Sequence, residues 1–166
     1  MPRADPRGDQ LLARVIPTAR AGARPKTERA LPHRQIDQLP PAPIFHRLLE
    51  LCKRMPGINV QESRLAAPDT IALWIATSSV CGPAEAFIDD HEFCHIHCLP
   101  EGGIHLTLPS NLARRAEKYG WAEPHILARA GIVPDTLVLV YAPRDERELD
   151  AVWRLVVASF HFASGA

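Results

Sequence analysis

The chain has 166 residues, 46% of them hydrophobic, enough to fill one core in a single domain. Its formal net charge of zero offers no overall field for nucleic acid, and four cysteines are too few for a disulfide scaffold. No apolar run approaches the ~20 residues that span a bilayer, and "MPRADPRGDQ" has no apolar signal region, so a soluble, cytoplasmic chain with reduced thiols and no membrane partner is expected.

The charge is unevenly spread. Residues 1–54 carry eleven Lys and Arg against five Asp and Glu, and the remainder is acidic to the same extent. A basic arm lying on an acidic body accounts for this. Scattered arginines without interleaved aromatics argue against a nucleic-acid tail. Residues 1–43 hold eight of the sixteen prolines and form the expected arm. Within it "DQLLARVI" can make a short helix. From about 21 to 43 the prolines favour extended chain crossing the body.

The domain proper is expected over 44–166. "PIFHRLLELCKRMPG" reads as a helix, with Pro43 in its first turn and Phe45, Leu48, Leu49 and Cys52 as its apolar stripe. "INVQESRL" and "TIALWIAT" read as strands. "EFCHIHC" and "GIHLTLP" read as an antiparallel hairpin joined through "LPEGG". Ser110 is the expected N-cap of a helix ending at Gly120. "GWAEPHILARAG" reads as a loop, and "DTLVLVYAP" as a buried strand. Asp145 and Glu148 have capping-box spacing ahead of a final helix, where Leu149, Val152, Trp153, Val156, Val157 and Phe160 recur at i, i+3, i+4. The order predicts an α+β fold: a mainly antiparallel sheet with helices packed on one face.

Four of the eight histidines, His91, His95, His97 and His105, fall within 91–105. On a regular strand His95 and His97 share one face, with Phe93 near its start, while Cys94, Ile96 and Cys98 point to the core. If the apolar faces of the hairpin align, His105 joins them. Three such imidazoles can bind a divalent transition metal. They can equally act as a general acid/base cluster with Glu92, or simply form a histidine-rich polar face. "HIHCLPE" matches the first cupin metal motif, but a second is not evident, and helices at both ends do not suit a jelly roll. A zinc knuckle through Cys94 and Cys98 fails on strand parity. There is no Walker loop and no G-x-S-x-G elbow. Trp121, His125, Tyr141 and Arg144 lie near strand or helix ends, where sites form. A cation at Arg144 opposes the following helix dipole, which points to an anionic partner. In the arm, Arg34, Gln35 and Gln38 either close over a pocket or are simply solvated.

"EFCHIH", "IHLTLP", "YGWAEPH", "LVYAPRDEREL" and "VASFHF", in that order, resemble the luciferase-domain family of bacteria and fungi, over roughly 24–162. Its best-known members are fungal luciferases acting on 3-hydroxyhispidin. The resemblance implies an oxygenase, an oxidoreductase of monooxygenase or dioxygenase type. It would add dioxygen to a 3-hydroxy-2-pyrone to give an endoperoxide that loses carbon dioxide. The positions it carries over are Glu92, His95, His97, His105 and His125 as catalytic candidates. Arg34, Gln35, Trp121, Tyr141 and Arg144 are carried over as substrate-binding ones. Fungal luciferases have an apolar N-terminal segment where this chain has its Pro/Arg-rich arm, and light emission is not inferred.

Chemistry supports the same class. An enolate can reduce dioxygen directly, so a base, an anion site and a dry pocket suffice. The expectation is a small-molecule substrate, dioxygen as co-substrate and no obligatory cofactor. A divalent metal on His95, His97 and His105 is the candidate addition. A lactone-type hydrolase or lyase, and a non-enzymatic small-ligand binder, are the alternatives.

Overall fold

The structure is a computed structural model and describes residues 6–76, 78 and 80–166. Among the described residues the α-helices and β-strands are, in chain order, α1 (Pro6–Val15), α2 (Ala42–Lys53), β1 (Ile58–Glu62), β2 (Ile71–Ile75), β3 (Glu92–Ile96), β4 (Ile104–Thr107), α3 (Ser110–Lys118), β5 (Ala122–Pro124), α4 (Ile126–Arg129), β6 (Leu137–Val140) and α5 (Glu146–Ser164). The strands form one sheet in the order β1-β2-β3-β4-β6-β5, each neighbouring pair antiparallel. The fold is α+β.

Alternation divides the sheet into two faces. One carries Leu73, Cys94, Ile96, Ile104, Leu106, Val138 and Val140, all buried. It packs against α5 through Leu149, Val152, Leu155 and Val156; of the expected stripe Trp153, Val157 and Phe160 are only half-buried, and Leu155, outside it, is fully buried. Each such fully buried side chain contributes on the order of 1.5–3 kcal/mol. α1 and α2 pack against α5 in the same core, α2 through Phe45, Leu48, Leu49 and Cys52.

The other face is covered by the arm. It is pinned by Arg20 N–H to Tyr119 O (2.9 Å), Trp121 Nε1–H to Thr18 O (2.8 Å) and Ala142 N–H to Gln35 Oε1 (2.9 Å). The arm is not simply extended. It folds back on itself at an antiparallel bridge between Thr27 and Gln35. Gly102, in the β3–β4 turn at φ +64°, lies under the Pro40 ring, and a Cβ there would collide with it.

Four expectations change. α3 is N-capped by Pro109, and the Ser110 hydroxyl is drawn instead to Asp135 Oδ1 at 2.6 Å. "GWAEPHILARAG" is not a loop: it supplies the edge strand β5, ended by Pro124, and then α4, whose N-cap His125 accepts from Leu127 N–H. At α5, Asp145 accepts from Glu148 N–H at 2.8 Å. The Glu148 carboxylate does not close the box on Asp145, because it takes the Arg144 N–H and guanidinium instead. The fourth change lies in β3 and builds the site.

Candidate active site

Trp74 pairs with Glu92 and Ala72 with His95, while Leu73 faces Cys94, so β3 holds one extra residue, Phe93. This β-bulge reverses the parity upstream of Cys94. Phe93 therefore enters the core against Phe160 rather than the histidine face. Glu92 takes the place that regular alternation gives to Phe93, on the side of His95. Cys98 falls beyond the strand and is half-buried, not core.

His95 pairs with His105 across β3 and β4, and His97 follows two residues on, so the three rings meet with centroids 4.9 to 5.7 Å apart. A carboxylate accepts only, which assigns the protons along the cluster. Glu92 Oε1 lies 2.6 Å from His95 Nδ1, which therefore carries its hydrogen. His95 Nε2 then accepts, so His105 Nδ1, 2.9 Å away, donates. That leaves His105 Nε2 as a buried lone pair without a hydrogen-bond partner. Glu92 is itself fully buried and accepts from Ser63 Oγ at 3.1 and 3.2 Å. In parallel, His97 Nδ1 donates to Glu101 Oε2 at 3.1 Å, and Arg34 holds the other oxygen of Glu101 at 2.8 Å.

Two further histidines complete the group. His125 presents its ring to His105 at 4.7 Å. His33 comes from the arm, is 1% exposed, and stacks on His105 at 5.6 Å. Its Nε2 donates to Glu123 Oε1 at 2.8 Å, and its Nδ1 is buried without a partner. Glu123 also accepts from Thr27 Oγ1 (2.8 Å) and Tyr141 OH (2.9 Å). His33, His95, His97, His105 and His125 line one cavity of about 540 Å³ with Leu31, Pro32, Leu65, Ile88, Leu127 and Leu137. Its volume and largely apolar wall suit a small planar molecule.

Burial holds several of these rings neutral. His105 is pushed well below the usual imidazole range by desolvation and then by His95 and His97. His97 is lowered by the same two effects, burial first and then His95. His125 falls to about 4, through burial and then His33. Burial works against ionisation of Glu123, but its hydrogen bonds from His33, Thr27 and Tyr141 prevail and lower it to about 2. Cys52, raised to about 12, and Cys94 are buried thiols that take no part.

The structure brings Glu92, His95, His97, His105 and His125 together. The substrate-binding candidates fall elsewhere. Trp121 is a core residue tied to Thr18 and does not line the cavity. Arg144 binds Glu148, Gln38 Oε1 and Ala21 O, so the anionic partner expected for it is Glu148. Gln35 fastens the arm. Arg34 and Tyr141 stand behind Glu101 and Glu123. His33 and Glu123 went unread in the sequence. A histidine after Leu31-Pro32 in a proline-rich arm carries no periodicity that would mark it.

Two triads have ligand nitrogens within 4.8 Å of one another, His95/His97/His105 and His33/His105/His125. Carboxylate-backed His95 and His97 resemble metal ligands in their outer contacts. The inner contact is a hydrogen bond between rings. His95 Nε2 and His105 Nδ1 are at hydrogen-bond separation, 2.9 Å. Imidazoles on a tetrahedral ion with 2.0–2.1 Å bonds stand roughly 3.3 Å apart. In the second triad, His125 Nδ1 already accepts from Leu127 N–H, so its Nε2 carries the hydrogen and is no ligand.

The family described as the luciferase domain matches residues 90–159. The chain resembles that family from the start of β3 into α5. It is 32% identical over 73 residues to the luciferases of Armillaria gallica and Armillaria mellea, and 33% to that of Neonothopanus nambi. These matches cover 43% of this chain and about a quarter, 27%, of the length of the curated relatives. No solved structure matches significantly. The luciferase-domain match takes in Glu92, His95, His97, His105, Glu123 and His125, while His33 and the rest of the arm lie before it. Among the described residues no helix is long and apolar enough to cross a membrane.

Proposed function

We propose that this luciferase-like chain is an oxygenase that adds dioxygen to a small enolic compound of the 3-hydroxy-2-pyrone type, without an obligatory metal or organic cofactor. The observation that carries the reading is the unpartnered, buried His105 Nε2 at the end of the Glu92–His95–His105 chain. It is a base facing an apolar cavity, with a route for the proton to leave.

The enol O–H gives its proton to His105 Nε2. The hydrogen on His105 Nδ1 passes to His95 Nε2, leaving His105 neutral in its other tautomer. His95 becomes an imidazolium held against the Glu92 carboxylate. Charge therefore moves away from His105, where burial opposes it, to the ring with a buried counter-ion. The enolate then transfers an electron to dioxygen. Radical and superoxide combine, a C–O bond forms, and the carbon is oxidised as dioxygen is reduced to the peroxide level. The proton returns along the relay to the peroxide oxygen, so substrate plus O₂ gives hydroperoxide with no external reductant. The apolar wall excludes water that would otherwise stabilise the ground-state anion.

The test is oxygen uptake. The chain should consume dioxygen with a 3-hydroxy-2-pyrone and none with the 3-methoxy analogue, which has no proton to give. Ring opening without oxygen uptake would instead indicate a lactone hydrolase or lyase.

A further inference from the structure

We infer that His33, supplied by the arm and backed by Glu123, is the group that holds the anionic oxygen of the ligand, making the cavity a site for small planar organic anions. This rests on the enolic substrate class proposed above and adds to it the residue that recognises the charge.

Among the described residues no lysine or arginine lines the cavity. Arg144 is committed to Glu148, and Arg34 to Glu101. An anion entering there must be met by a histidine. His125 keeps its Nδ1 lone pair on the Leu127 amide and would lose that cap on protonation. His95 and His105 are joined to one another as the relay. His33 differs from both. Its Nε2 donates to a carboxylate that also collects Thr27, Tyr141 and, at 3.6 Å, Arg129. Three hydrogen bonds and the Arg129 guanidinium converge on Glu123, so a carboxylate held by four partners stands directly behind the His33 ring.

The Nδ1 atom of His33 is buried with no partner. A buried ring nitrogen left without a hydrogen-bond partner is costly, and a ligand oxygen sharing a hydrogen with it removes that cost. His105 Nε2 is also unpartnered, on a ring stacked 5.6 Å away at 26°. With hydrogens on both His33 nitrogens, one enolic oxygen between the two rings gives its proton to His105 Nε2 and accepts from His33 Nδ1–H, while Glu123 balances the charge of the His33 ring. The arm is thereby part of the site as well as its cover.

Calorimetric binding of 3-hydroxy-2-pyrone and of its 3-methoxy ether to the full chain under argon tests this. The wild type should bind the pyrone at least about tenfold more tightly than the ether. His33→Ala and Glu123→Gln should remove that preference, the pyrone losing at least about tenfold more affinity than the ether. Glu123→Gln keeps the ring and removes only the charge behind it, so it decides the matter if His33→Ala fails to fold. Equal binding of pyrone and ether by the wild type, or a preference that survives Glu123→Gln in the folded chain, overturns the inference. Pyrone binding with the predicted variant pattern but no oxygen uptake in air overturns the oxygenase reading and leaves the anion site standing.

Discussion

His95 Nε2 and His105 Nδ1 lie 2.9 Å apart, and that hydrogen bond joins a fully buried carboxylate, Glu92, to an unpartnered nitrogen on the cavity wall. Neighbouring positions on paired strands make the contact possible. The bulge at Phe93 makes it useful, because only there does Glu92 reach His95.

His105→Ala should lower turnover by about 10²–10⁴-fold, the usual worth of a general base. Glu92→Gln should cost about 10–100-fold through loss of the charge that supports the distal imidazolium. Steady-state oxygen uptake gives both numbers. Wild-type rates in the two variants would remove the relay from the mechanism.

Metal chelation should leave turnover intact. The His95–His105 hydrogen bond occupies the lone pair that a metal would need. Elemental analysis of purified protein should find substoichiometric transition metal. One equivalent retained through dialysis and lost in His97→Ala would contradict this.

Stability should fall with acid in two stages. His125, lowered to about 4, and His105, held well below its ordinary range by burial, stay neutral in the fold while the unfolded chain takes protons near 6.5. The unfolded state then binds more protons, so stability declines as pH drops from about 6.5 towards 4. Glu123, lowered to about 2, contributes stability that is complete above its ordinary 4.5 and is lost below it. Thermal midpoints across this range should show the decline, with a shallower slope in His125→Gln. A flat wild-type profile would contradict the assignment.

Gln35→Ala should destabilise the chain by about 1–3 kcal/mol, because the buried Ala142 N–H loses its acceptor. Limited proteolysis should then cut between 24 and 38, where wild type resists. An urea unfolding curve within about 0.5 kcal/mol of wild type would show the arm to be loosely held.

What could be read from the sequence follows from period. The shared face of His95, His97 and His105 is a regular repeat that the structure carries unchanged, and the stripe of α5 is carried in part, with Leu155 buried and Trp153, Val157 and Phe160 half-buried. Glu92 was assigned beside the cluster without a geometry, since a bulge leaves no mark in alternation. It was placed by two residues facing Leu73. β5 is three residues long and ends in proline, too short for any pattern. His33 and Glu123 meet only because the arm folds across the sheet, and a pairing between segments so distant has no local signal. Arg144 showed the reverse difficulty: the dipole argument identified an anionic partner but could not tell Glu148 from a ligand.

The central claim is that His105 takes the enol proton before oxygen reacts. Rapid mixing of the chain with a 3-hydroxy-2-pyrone under argon, followed by absorbance, measures that step alone. At a pH below the free enol's pKa, the wild type should develop the enolate spectrum on binding, and His105→Asn should bind the pyrone without developing it. Enolate formation of equal extent in both proteins would contradict the account.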